Sequence, residues 1–155
     1  AASKTFNLAG LGCAVAIAQN PALMAQFKAG GAGIMAHVNT LGYVATEAAW
    51  SECDAWHESL LLYLAANRDL LIQQVAEMPG VSVGLTEATY LAWLNVTELG
   101  LTDPQGFFES AGVGLSDGAQ FSGDGYIRLN FGCPRRVLEM GLARMRKACD
   151  ARMRV

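Results

Sequence analysis

The sequence predicts an α/β assembly in which long helical segments lead into a small α+β domain with a short, mainly antiparallel sheet and a closing C-terminal helix. Three observations carry this. Residues 39–77 read as helix with few breakers, and the apolar face in their second part recurs at helical spacing. Residues 81–85, 89–96 and 126–130 have strand composition and are set apart by turn-forming residues. Leu138, Leu142, Met145 and Cys149 fall at i, i+4, i+7 and i+11, the stripe of a helix packed on a core.

The elements follow in order. Residues 9–27 are rich in Ala and Gly, and Asn20-Pro21 places proline in the first turn of a helix through Lys28. Gly30-Gly31-Ala32-Gly33 stops it; without a preceding strand and the right spacing, this cluster reads as a connector and not as a dinucleotide loop. Between residues 39 and 77, Trp56, Leu60, Tyr63, Leu64, Leu71 and Val75 share one helix face, and Met78-Pro79-Gly80 ends the run. At about 1.5 Å per residue, such a helix spans a small domain or bridges two.

The continuous apolar run at 89–96 suits a strand covered on both faces, which makes Tyr90 and Trp93 core residues. Thr102-Asp103-Pro104 caps a short helix containing Phe107 and Phe108. A short strand is expected at 112–115, a turn at 122–125, a strand at 126–130, and the last helix from Pro134.

Composition limits the function. The 155 residues suffice for a true core, with roughly 68–70% of the unfolded surface buried on folding. Hydrophobic residues make up 52% and charged residues 16%. This is an apolar excess that either fills a large core or marks surface meant to be covered. A net charge of -3 gives no general attraction for polyanions.

Seven of the eleven basic residues lie from Arg135 onward, but Glu139 and Asp150 interrupt them and no aromatic platform is interleaved, so nucleic-acid binding is not expected. Cys13, Cys53, Cys133 and Cys149 are too widely spaced for a metal site or redox dithiol and read as reduced, packed thiols. His37 and His57 have no local triad or metal pattern. No run reaches 18 apolar residues and no basic leader precedes Leu8 to Ile17, so neither a membrane span nor an export signal is expected and a cytoplasmic protein fits best.

The chemistry rests on two strings. The first is Ser3-Lys4-Thr5-Phe6, followed by Gly10. The second, beginning at Gly125, runs Tyr126-Ile127-Arg128-Leu129-Asn130-Phe131-Gly132-Cys133-Pro134-Arg135. Together they resemble the cofactor-lysine segment and the carboxylate-binding arginine strand of the fold-type I pyridoxal-phosphate (PLP) enzymes, the aminotransferase class I and II group. A third string, Ala88-Thr89-Tyr90-Leu91-Ala92-Trp93-Leu94, is similar to the small-domain strand of one subgroup, the carbon–sulfur β-lyases of the cystathionine β-lyase (MalY/PatB) type. Many aminotransferases of the class carry a phosphate-binding arginine eight positions after the lysine. Here that position is Gly12, a departure that also points to the lyase subgroup.

The resemblance covers essentially the whole chain, but only the C-terminal two-fifths or so of a complete family member. It implies that residues 1–45 are the tail of a large PLP-binding domain and that residues 46–155 hold the bridging helix and small domain. It implies Lys4 as catalytic residue and, with Ser3, as part of the PLP site. Arg128 is implied as the substrate clamp, and Asn39 and Thr40 as a segment approaching the cofactor phosphate of a partner subunit in a homodimer.

The residue types suit these roles. A lysine amine that can become neutral serves as nucleophile and base. Arginine's planar fork grips an α-carboxylate with two hydrogen bonds, which lysine cannot do. The implied reaction is cleavage of cystathionine or another cysteine conjugate to thiol, pyruvate and ammonia. Aminotransferase chemistry and a non-catalytic interaction module are the alternatives. The portion of the family that supplies the ring-nitrogen aspartate and most phosphate ligands precedes the lysine, so the chain by itself is expected to be inactive.

Overall fold

A computed structural model describes residues 1–154. The chain separates into two compact units, one spanning Ala1–Ser59 and the other running from Leu60 onward. The helices are α1 (Ala2–Thr5), α2 (Pro21–Gly31), α3 (Thr40–Glu52), α4 (Asp54–Ala76), α5 (Pro104–Ser110) and α6 (Arg135–Arg152), and the strands are β1 (Ser82–Val83), β2 (Leu91–Asn95), β3 (Ser116–Asp117) and β4 (Tyr126–Asn130).

The first unit is helical. Asn20 caps α2 through its side-chain oxygen, with Pro21 at the first position as the sequence implies. The helix expected to run unbroken through residues 39–77 is two helices. Cys53 leaves the helical region at φ -111°, ψ 23°, while its carbonyl accepts the first bond of α4 from the His57 N–H. No glycine or proline marks the break, so periodicity alone runs through it. The acidic Asp54 at the start of α4 suits the positive end of a helix dipole. This unit buries little: α2 has no buried residue, and Val15, Ile17, Phe27, Ile34, Leu41 and Trp50 are among the large apolar side chains it leaves exposed.

The second unit holds the core. Its four strands lie in the order β1-β2-β4-β3, and every pairing is antiparallel. Ala92, Leu94, Ile127 and Leu129 point to one face and are buried against Leu71 and Val75 of α4, Phe108 of α5, and Leu138, Leu142, Met145 and Cys149 of α6. The C-terminal stripe is therefore a core face, as its spacing predicts.

Three expectations change. β2 is not covered on both faces: Ala92 and Leu94 are buried, whereas Leu91, Trp93 and Asn95 on the other face are half-buried. An antiparallel sheet needs cover on one side only. Trp93 therefore lies outside the core, while Tyr90 packs partly buried against it. The strand expected at 112–115 instead pairs at Ser116–Asp117. The preceding residues close α5: the Val113 N–H bonds back to Phe108 and the Gly112 N–H to Glu109, the Schellman pattern that satisfies the last carbonyls of a helix.

Candidate functional site

β4 sits between β2 and β3, and its register puts Arg128 opposite Trp93 on one side and opposite Ser116 on the other. Because side chains alternate along a strand, the buried Ile127 and Leu129 turn Arg128 to the face away from the core. There the Arg128 Nη2 donates a hydrogen bond to the Ser116 Oγ at 3.1 Å. The guanidinium carbon lies 4.3 Å from the centre of the Phe121 ring, within cation–π range.

Phe121 arrives on a 3₁₀ turn, Gly118–Phe121, whose start is capped by the Asp117 side chain accepting from the Ala119 N–H. Gly118 is required for this path: a Cβ there would collide with the backbone carbonyls of Gly123 and Tyr126. Trp93 stacks on Tyr126 with ring centres 5.5 Å apart and meets Phe121 edge-on at 6.1 Å. Arg128 is half-buried, and among the described residues no carboxylate pairs with it.

The sequence strings point to Arg128 and give no sign of Ser116, Phe121 or Tyr126 beside it. The alternation of the 126–130 run held a signal: a charged residue in the middle of a strand whose neighbours are Ile and Leu faces away from the core.

Lys4, in the first unit, is the exposed last-turn residue of the four-residue α1, with Ser3 half-buried before it. The Lys4 amine has no ion pair among the described residues. Phe6 packs against Trp56 and His57, with ring centres at 5.5 and 5.8 Å, which gives His57 a packing role. Gly12 ends a 3₁₀ turn in the left-handed region at φ 60°, a conformation that an arginine side chain would strain.

Asn39 caps α3, its Oδ1 accepting from the Gly42 N–H at 2.8 Å while its Nδ2 donates to the Leu11 carbonyl at 2.7 Å. Both polar ends of that side chain are occupied. Thr40 opens α3 and is exposed. α1 packs on α3, so the segments carrying Ser3, Lys4, Asn39 and Thr40 share one unit, and Arg128 belongs to the other.

A second polar cluster was not foreseen. Asn67 is fully buried in α4. Its Nδ2 donates to the carbonyls of Phe131 and Cys133 at 2.9 and 3.0 Å, and its Oδ1 accepts from the Arg135 Nε at 2.6 Å. The Tyr63 hydroxyl accepts from the Arg135 backbone N–H at 2.6 Å. The seven-residue gap between Leu64 and Leu71 in the apolar stripe marks the place where Asn67 stands.

Burial raises the Cys133 thiol, partly offset by the Leu138 backbone N–H. Burial together with the Asp150 charge pushes Cys149 up to about 11. Among the described residues no group of three or more His, Cys, Asp or Glu is placed to hold a metal ion, and no helix is long and apolar enough to cross a membrane.

No family model matches the sequence. Curated proteins do. Cystathionine β-lyase PatB of Bacillus subtilis (strain 168) is 33% identical over 158 aligned residues, which covers 96% of this chain and 40% of PatB. The cystathionine β-lyase of Corynebacterium glutamicum is 34% identical over 94% of this chain, and Protein MalY of Escherichia coli (strain K12) 30% over 96%. The chain spans about two-fifths of the length of these relatives and corresponds to their C-terminal part.

Solved structures agree. OvoB has a TM-score of 0.92 at 46% identity, covering 96% of this chain and 39% of that one. Cystalysin of Treponema denticola, which contains PLP, has a TM-score of 0.87 at 30% identity, covering 97% and 40%. Alanine aminotransferase of Pyrococcus furiosus, at 19% identity and a TM-score of 0.78, shares the fold.

Proposed function

We propose, from a chain that matches the C-terminal part of the cystathionine β-lyases of PatB and MalY type in sequence and fold, that it serves as the C-terminal portion of a PLP-dependent carbon–sulfur β-lyase. The enzyme takes cysteine conjugates such as cystathionine to a thiol, pyruvate and ammonia. The observation that carries the reading is Arg128: a half-buried guanidinium at the centre of an open sheet face, fixed by neighbours and lacking a carboxylate partner among the described residues.

The residues present fit the cofactor in their chemistry. Lys4 offers an exposed amine without an ion pair among the described residues, on a segment that in the resemblance holds the cofactor aldehyde. PLP, when bound, supplies an electron sink for the charge left at the substrate Cα. Lys4, in neutral form, takes the Cα proton and can pass it to the departing thiolate as the Cβ–S bond breaks. Arg128 binds the α-carboxylate through two of its N–H groups and so fixes the orientation of the scissile bonds.

In this reading residues 1–45 belong to the large PLP-binding domain and residues 46–155 to the bridging helix and small domain. Ser3 lies beside the cofactor, and the exposed Asn39-Thr40 segment approaches the cofactor phosphate of a second subunit in a homodimer. Asn39 would contribute its backbone, since its side chain is engaged within its own unit.

The chain by itself does not turn over in this reading, because the remaining three-fifths of the relatives' length carries the rest of the pocket. Two measurements test the proposal. The natural polypeptide carrying this chain, incubated with PLP, is expected to develop the visible absorbance of lysine-bound cofactor. Lys4→Ala should abolish that absorbance, and a band that survives the substitution refutes the role of Lys4. With cystathionine, release of thiol and pyruvate supports lyase chemistry. A keto acid formed only with an amino acceptor would support the second reading, an aminotransferase. That reading draws on a PLP-bound protein of Clostridium difficile, provisionally called an aminotransferase, at 33% identity and a TM-score of 0.86.

A further inference from the structure

We propose that Ser116 and Phe121 are positioning residues that hold the Arg128 guanidinium ready for a substrate carboxylate before substrate arrives. The inference rests on the reading of Arg128 as substrate clamp and goes beyond it, since nothing in the resemblance assigns either residue.

A guanidinium carries five N–H donors, and its side chain has about 2 kcal/mol of rotamer entropy to lose on being fixed. If substrate binding had to impose that order, the loss would come out of the affinity. Here the order is already imposed by two contacts of different kinds. Ser116, on β3 directly opposite Arg128, accepts one N–H at 3.1 Å, which sets the rotation of the guanidinium plane. Phe121 lies under the guanidinium at 4.3 Å and covers one face.

Both partners are neutral. A carboxylate in either place would neutralise the charge and compete with the substrate, whereas a hydroxyl and a ring leave the charge and four donors available. The surroundings support the ring's role. Phe121 is 47% exposed, so core burial does not explain its position. Its path depends on the glycine at 118 and on the Asp117 cap, and Trp93, itself stacked on Tyr126, meets the ring in a T-shaped contact. Four elements of local structure converge to place one aromatic face under one guanidinium.

The test has two arms. In the 155-residue chain, the Arg128 Nε–H resonance, assigned by its loss in Arg128→Lys, should show a ring-current shift that Phe121→Leu removes. Ser116→Ala should speed rotation about the Nε–Cζ bond, and Ser116→Thr should restore the slow rotation. An unshifted resonance, or rotation indifferent to residue 116, overturns the positioning claim whatever the enzyme does.

In the PLP-loaded natural polypeptide, affinity for S-ethylcysteine is compared with affinity for its decarboxylated counterpart, 2-(ethylthio)ethylamine. Ser116→Ala and Phe121→Leu should each weaken the amino acid by about tenfold, the order expected on losing a contact to a charged group, and leave the amine unaffected. Equal weakening of both ligands would mean a general structural defect and overturn the inference. If Arg128→Lys also leaves the amino acid unaffected, the clamp reading itself falls, a result distinct from failure in the resonance arm.

Discussion

Asn67, fully buried midway along α4, accepts a hydrogen bond at 2.6 Å from the Nε of Arg135, the first residue of α6. The same amide donates to the carbonyls of Phe131 and Cys133, so one side chain ties together a helix, the exit of the arginine-bearing strand, and the start of the closing helix. These carbonyls lie in the turn between strand and helix, where no regular backbone partner is at hand.

Substituting Asn67→Leu keeps the branched heavy-atom shape and removes every one of those bonds. It leaves two carbonyls and a guanidinium nitrogen without partners, and the expected loss is about 2–4 kcal/mol of unfolding free energy. Urea denaturation of the second unit's helical signal measures it. A loss below about 0.5 kcal/mol would mean that water or a rearranged Arg135 substitutes freely for the amide.

Gly118→Ala is expected to displace the 3₁₀ turn, because its Cβ would collide with two backbone carbonyls that cannot retreat without breaking the turn. The stability cost should be about 1–3 kcal/mol, the range for inserting a methyl into packed space. The Phe121 ring should also leave the guanidinium. Thermal melting together with the Arg128 resonance reports both effects, and a destabilised protein with an unmoved ring would separate the turn from the site.

Asn39→Ala removes the α3 cap and the bond to Leu11 together. Loss of a cap costs about 1 kcal/mol, and the effect should be confined to the first unit. Faster amide hydrogen exchange is expected at Gly42, with the sheet of the second unit unaffected. Unchanged exchange at Gly42 would show that the latch contributes nothing to holding α3.

Stability should fall at alkaline pH through the buried thiol of α6. Burial and the Asp150 charge push the Cys149 thiol up to about 11 in the folded chain, from an ordinary value of 9.0. The neutral form is therefore favoured by folding. Its contribution is fully present below the unfolded value and is lost as pH rises from 9.0 through about 11. A decline of about 2–3 kcal/mol across that window is the upper expectation. Cys149→Ala should be less stable at neutral pH because of its cavity, yet show a shallower alkaline slope in denaturant titrations from pH 8 to 11. An identical slope would assign the decline to other groups.

The elements that follow local rules were legible in advance. Tyr126–Asn130 alternates apolar and polar residues and is a strand over those residues. Leu138 to Cys149 repeats at helical spacing and is buried. Asn20-Pro21 and Asp103-Pro104 cap the helices they precede. The break at Cys53 was not legible, because its cause is a backbone angle at an ordinary residue between two good helical runs. Nor was the outward turn of Trp93. An apolar strand gives the same composition whether its second face meets a helix, another domain or an arginine.

The sequence by itself determined the type and order of the principal elements, the core stripe of the last helix, and the two strings that single out Lys4 and Arg128. These depend on local spacing and residue type, which the chain carries wherever it folds. The tertiary structure alone decided that Ser116, 12 positions before Arg128, and Phe121, seven before it, stand against its guanidinium, and that Asn67 reaches the turn after Phe131. Such contacts arise from strand register and from turns that reverse the chain. Their partners meet because hydrogen-bonded pairing and burial of the opposite sheet face leave each side chain one direction to point.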